Sequence, residues 1–201
     1  MVDDDEDAAL MQAVARGDRG AFARLFDRHQ GAVVRFCARF VGDPAVAEEL
    51  AQDIFVKVYR GAGRYQPSAR FTTWLFRVAT NHCLNELRRP ARRSEQSVEP
   101  AEEDSPSLLD ATPGGTTPVE ALEAREVEAA LRGAMAAMSA RERAAFSLCR
   151  FEGLAYREVA EALEASEAAV KSLIHRATVR VVQHLDALGQ APTSLPGVAH
   201  G

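Results

Sequence analysis

Arg77, Asn81, Asn85 and Arg88 follow one another at spacings of four, four and three residues. A helix turns once in 3.6 residues, so that spacing puts all four on one polar stripe. Arginine grips phosphate and asparagine hydrogen-bonds base edges, so the stripe has the chemistry of a nucleic-acid reader. A solvated helix face would look similar, but two asparagines inside a helix have poor propensity and need another reason to be there. Tyr65, Phe71 and Trp74 stand nearby, and aromatic rings stack on unpaired bases. Phe71, Leu75 and Val78 mark the buried side of the same helix, which favours a core role for Trp74.

A second constellation lies between Leu154 and Val181. Val159, Ala160 and Leu163 share one side of a short helix, and Val170, Ile174, Ala177 and Val181 share one side of the next. The same period turns Ala168, Lys171, Ser172 and His175 outward. A cation, a hydroxyl and small residues on one face are what a recognition helix needs in a major groove. An ordinary three-helix packing unit would show such a face too, so this pattern alone leaves DNA binding open.

Charge separates along the chain in a way the net value of −5 conceals. From Arg64 to Arg93 seven arginines face a single acid, Glu86, whereas Ser94 to Pro118 carries six acids and no base. A basic binding surface beside an acidic tether is the simplest reading. Pro100, Pro106, Pro113, Gly114, Gly115 and Pro118 interrupt that acidic stretch, which has no apolar period and reads as a flexible linker. Fully extended, about 25 residues reach roughly 80–90 Å.

Helices must position these residues, since no strand signal occurs in the sequence. Ala8 to Arg16 predicts a short helix. Asp18 to Val41 predicts a longer one, with Phe22, Leu25, Phe26, Val33, Phe36 and Phe40 at helical spacings. Gly42-Asp43-Pro44 stops it and caps the next, where Val46, Leu50, Ile54 and Val58 form a buried stripe. That leaves Glu49, Gln52 and Asp53 together on an outer face. Gly61 to Ser68 reads as a loop, and Ala69 to Arg89 as a long helix stopped by Pro90. Val127, Leu131, Met135 and Met138 mark a further helix. Ser139 and Glu142 form a capping box for another, which ends near Gly153. Tyr156 to Leu163 and Glu167 to about Leu188 complete the set.

The expected fold is all-α, with two small helical domains joined by a flexible acidic linker: 1–93, linker 94–118, 119–188, and a Gly/Pro-rich, disordered tail over 189–201. Cys37, Cys83 and Cys149 are an odd number without a CxxC pair, and read as three buried small hydrophobes. His82 beside Cys83 does not complete a metal site, because adjacent helical residues point apart. No phosphate loop, metal-ligand set or nucleophile elbow appears, so neither an enzyme nor a cofactor is implied. No apolar run is long enough to span a membrane, and the start of the chain is acidic, unlike a secretory signal. The expectation is a cytoplasmic protein with no direct membrane insertion.

Two stretches carry a resemblance. Ala47 to Phe55 (AEELAQDIF) with Phe71 to Asn81 (FTTWLFRVATN) resembles region 2 of the extracytoplasmic-function sigma factors of the sigma-70 family. Phe151 to Ala177, with EGLAY at Glu152–Tyr156 and VKSLIHRA at Val170–Ala177, resembles their region 4. Together they cover most of both expected domains in the family's order. The resemblance implies a subunit that directs core RNA polymerase to promoter DNA. It implies that Glu49, Gln52 and Asp53 dock on the coiled coil of the β′ subunit, and that the β flap is a second polymerase contact. Reading of the −10 element as single strand would fall to Arg64, Tyr65, Ser68, Arg77, Asn81, Asn85 and Arg88. Reading of the −35 duplex would fall to Ser166, Ala168, Lys171, Ser172, His175 and Arg176. The linker would thread through polymerase channels, and an anti-sigma factor, often membrane-bound, would sequester the protein. Two departures stand out. Family members often carry arginine where this chain has Leu173 and Thr178, and the loop Arg64 to Arg70 lacks a frequent Gly-Asp pair. A helix-turn-helix regulator acting without polymerase is the rival reading; it would explain Leu154 to Val181 but not the first domain.

Overall fold

The structure is a computed structural model that describes residues 4–67, 70–88 and 118–187. The linker from residue 94 to 117, Ser68, and the tail from residue 188 onward lie outside the described residues. Eight α-helices and one 3-10 turn are found among the described residues, and no strand. They are α1 (Asp4–Ala15), α2 (Arg19–Val41), α3 (Pro44–Gly61), the 3-10 turn Ala62–Arg64, α4 (Phe71–Arg88), α5 (Pro118–Ala137), α6 (Ala140–Arg150), α7 (Tyr156–Leu163) and α8 (Glu167–Ala187).

Local chemistry sets most boundaries. The Asp18 carboxylate accepts from Ala21 N at 3.0 Å and opens α2. Gly42 closes it with φ 73°, a left-handed conformation that glycine adopts without steric cost. Asp43 then accepts from Val46 N at 3.1 Å, with Pro44 in the first turn of α3. At α6 the capping box is complete: Ser139 Oγ accepts from Glu142 N, and Glu142 Oε2 accepts from Ser139 N at 2.9 Å. Each such cap contributes about 1 kcal/mol.

The first unit, α1 to α4, buries Met11, Leu25, Phe36, Leu50, Ile54, Val58, Phe71 and Leu75. On α3 the buried face is broader than the expected stripe. Ala47, Ala51 and Phe55 join it, and Val46 stays half-buried. Helix α1 begins at Asp4, four residues before the expected start, because the acidic segment has partners across the bundle. Asp7 is fully buried, held by His29 Nε2 at 2.7 Å and by Arg28, while Glu6 accepts from Arg28 at 2.8 Å. His29 also lies against the Phe71 ring, so α1 is tied to the start of α4.

The second unit packs α5, α6 and α7 around α8, with Ala134, Met135, Met138, Phe146, Ala177 and Val181 in one apolar cluster. Leu148, Leu154, Val159, Leu163, Val170 and Leu173 belong instead to the same cluster as the first unit's core. Helix α7 lies along α4, and α6 touches α2 and α4. The two units are therefore packed together.

Of the cysteines, Cys37 and Cys83 are buried as expected, with their sulfurs 3.8 Å apart across α2 and α4. Their mutual hydrogen bond, then burial, pushes the Cys37 thiol far above its ordinary range. Cys149 departs from the expectation and is only half-buried.

Candidate polymerase and nucleic-acid interfaces

Helix α3 turns Glu49, Gln52 and Asp53 to the outside, as its period requires. Val56 and Tyr59 on the same helix are exposed large apolar side chains, at 45% and 42%. Tyr59 packs edge-on against Phe22, which itself meets Phe55. The outer face thus combines two carboxylates and an amide with apolar surface. Sequence periodicity located the polar part but not Val56 and Tyr59. Asp53 lies 3.5 Å from His82 Nε2, and the other ring nitrogen of that buried histidine meets Lys57 Nζ.

Helix α4 presents Arg77, Asn81, Asn85 and Arg88 as one exposed stripe. Arg64, at the end of the 3-10 turn, is exposed too. Tyr65 is 8% exposed, its ring 5.4 Å from Trp74 and 6.1 Å from Phe71. Its ring forms a wall behind the connecting loop with those of Phe71 and half-buried Trp74. A Cβ on Gly61 would come within 3.4 Å of the Trp74 ring, so the end of α3 approaches that wall closely.

Ser166, just before α8, and Ala168, Lys171, Ser172, His175 and Arg176 on it are all exposed, and Val170, Ile174, Ala177 and Val181 are buried. Ser166 Oγ caps the helix by accepting from Ala169 N. The turn between α7 and α8 is tight enough to hold Glu164 at φ 50°. Leu173, one of the two departures from the family's pattern, is 8% exposed and joins the apolar cluster shared with the first unit. Thr178 donates to Ile174 O and so satisfies its hydroxyl within the helix.

The packing of the two units engages some of these residues. Arg77 donates to Glu164 at 2.8 Å, with both side chains more than half exposed. Glu158 caps α7 by accepting from Ala155 N, and its other oxygen lies 3.4 Å from Arg70 and 3.3 Å from Thr73 Oγ1. The least exposed pair is Arg39–Glu152 at 2.7 Å, with side chains 2% and 8% exposed. The Arg39 guanidinium also sits 3.8 Å from the centre of the Phe151 ring. Arg143 donates to Phe40 O at 2.8 Å, and burial lowers its pKa.

Among the described residues the chain is helical, and its exposed second helix in a helix-turn-helix unit is an arrangement that DNA-binding transcription proteins use. Comparison with known proteins narrows the class. Residues 25–93 match the model of Sigma-70 region 2, and residues 128–181 match that of Sigma-70, region 4. The chain is 32% identical over 193 residues to the RNA polymerase sigma-H factor of Pseudomonas aeruginosa, covering 94% of this chain and 98% of that one. It is 35% identical over 174 residues to an ECF RNA polymerase sigma factor SigK of Mycobacterium sp., covering 81% and 82%. Among solved structures, that of CnrH in complex with the cytosolic domain of CnrY superposes with a TM-score of 0.62 at 25% identity, over 90% of this chain and 98% of that one. The chain belongs to the extracytoplasmic-function sigma factors of the sigma-70 family, and its role is in transcription initiation.

Proposed function

We propose that this sigma factor docks core RNA polymerase through the outer face of α3, reads the −10 element as single strand through α4, and reads the −35 element as duplex through α8. The observation that supports this best is the separation of faces. Each helix buries its apolar side in a core and leaves the polar set exposed: Glu49, Gln52 and Asp53 on α3, Arg77, Asn81, Asn85 and Arg88 on α4, and Lys171, Ser172, His175 and Arg176 on α8. The work is positioning and charge complementarity, with no bond made or broken by the chain, so it is not an enzyme. None of the helices among the described residues is long and apolar enough to cross a membrane, in keeping with a cytoplasmic protein that an anti-sigma factor could hold. In this reading the domains are 1–93 and 119–188, and the acidic stretch 94–118, whose last residue Pro118 begins α5, threads the polymerase.

Glu164 of the second unit engages Arg77, so full reading of the −10 strand requires this solvent-exposed pair to break. We infer that the packed form, held by the enclosed Arg39–Glu152 pair and the shared apolar cluster, is a resting state that polymerase docking opens.

The assignment is tested by in vitro transcription with core polymerase. Lys171→Ala should weaken initiation and alter preference at one or two −35 positions by about 1–3 kcal/mol, if the lysine meets a base edge. A −35 promoter library transcribed identically by both proteins removes Lys171 from the interface. On α4, Asn81→Ala should slow open-complex formation while leaving polymerase binding intact. Its side chain is exposed, so folding should change by less than about 0.5 kcal/mol. Permanganate reactivity across the −10 region measures this directly, and a normal bubble in the variant counts against the stripe.

A further inference from the structure

We propose that Glu142 is a positioning residue for −35 recognition, holding Arg176 by one edge of its guanidinium so that the remaining edge is presented to DNA. The inference rests on the reading of α8 as the −35 helix. Glu142 stands in the first turn of α6 and is 4% exposed. One carboxylate oxygen accepts from Ser139 N and completes the capping box. The other accepts from Arg176 Nε at 2.7 Å. A second arginine one turn along α8, Arg180, brings its Nε within 3.6 Å of the first oxygen. Glu142 thus joins the start of one helix to two successive turns of another.

The Arg176 side chain is 53% exposed although its Nε is engaged. Guanidinium carries five N–H donors in a planar fork, so the Nη groups keep theirs for an outside acceptor. An arginine already ordered by a buried carboxylate loses less side-chain freedom when it closes on phosphate or guanine. Two arginines against one carboxylate also leave a net positive charge at this point of the recognition helix. Burial pushes the Glu142 carboxyl up, but the hydrogen bonds from Arg176 and Ser139 and the charge of Arg180 outweigh it and hold the group below its ordinary value. It therefore stays ionised at neutral pH.

The test uses holoenzyme assembled from the full chain and core polymerase, read out as promoter binding across a −35 library and as its salt dependence. Glu142→Gln removes the charge but keeps an amide oxygen for the cap, since glutamine serves in capping boxes. Its melting temperature should stay near that of the parent. Affinity for −35-bearing promoters should fall about three- to tenfold with a flattened preference, and the loss should vanish in an Arg176→Ala background. Arg176→Lys, which leaves Glu142 and its cap untouched, should flatten the preference likewise, because an ammonium cannot serve both partners from two edges. If Arg176→Ala binds every promoter like the parent, the reading of Arg176 as a DNA contact is wrong and the proposal falls with it. If Arg176→Ala weakens binding but Glu142→Gln or Arg176→Lys retains the parent's −35 preference, Arg176 acts alone and Glu142 is only a cap. Losses that multiply in the double variant overturn the proposal in the same way.

Discussion

Replacing Glu49 and Asp53 together with lysine is expected to abolish co-purification with core RNA polymerase, and with it all promoter-specific transcription. Both side chains lie on the outer face of α3, one turn apart with Gln52 between them. An acidic, amide-bearing face binds a basic partner helix through charge-assisted bonds, and arginine on the partner makes the strongest of these. Reversal puts like charges face to face, which costs several kcal/mol across an interface and suppresses encounter as well. The fold should change little, although Asp53 gives up its contact with buried His82 Nε2 at 3.5 Å. Leu50, Ile54, Val58 and the Asp43 cap, which hold α3 in place, are untouched. Exposed charges contribute about 0–1 kcal/mol to stability, so the melting temperature should move by only a few degrees. Pull-down with core enzyme and run-off transcription measure the two effects separately. Wild-type affinity for core in the double variant would take α3 out of the docking surface.

Much of this architecture is legible in the sequence because the signals that set it are local. Asp43-Pro44 and the Ser139–Glu142 box fix helix starts within four residues, and the helix from Tyr156 to Leu163 lies where its period placed it. The outward faces of α4 and α8 follow from the same 3.6-residue arithmetic. What the sequence hides depends on residues far apart in it. Asp7 reads as part of an acidic start until His29 and Arg28, more than twenty positions later, enclose it. His29 then looks like an isolated histidine for the same reason. Cys37 and Cys83 meet across 46 positions. The cap role of Glu142 is visible from spacing alone, whereas its grip on Arg176 spans 34 residues and needs the packed α6 and α8. Charge shows the same limit. The basic segment reads from sequence as a surface for nucleic acid alone, yet within the described residues Arg70 and Arg77 face Glu158 and Glu164 of the other unit.

Reversing Glu152 to arginine is expected to open the packed form. Of the contacts between the two units, those made by exposed groups are weak: Arg77–Glu164 is open to solvent on both sides, where a pair contributes about 0–1 kcal/mol. Arg39–Glu152 is different. It is nearly enclosed, it sits beside the Phe151 ring, and Arg143 binds Phe40 O close by. Breaking a buried pair by removing one partner costs about 3–5 kcal/mol, because a charge is left in a low-dielectric site, and a second arginine there adds repulsion. At about 1.4 kcal/mol per factor of ten, that shifts the ratio of packed to open chain by roughly two orders of magnitude or more. Small-angle scattering should then show a larger radius of gyration for the free Glu152→Arg chain, and Glu164→Lys should show little change. The free chain should also gain affinity for a single-stranded −10 oligonucleotide, because Arg77 is released with the interface. Docking on polymerase through α3 should persist, since that helix lies on neither side of the Arg39–Glu152 contact. A Glu152→Arg chain as compact as the parent would mean that the apolar cluster shared by Leu173, Leu163 and the first unit's core holds the two units without the ion pair. The resting state would then depend on hydrophobic contact, and salt would not loosen it.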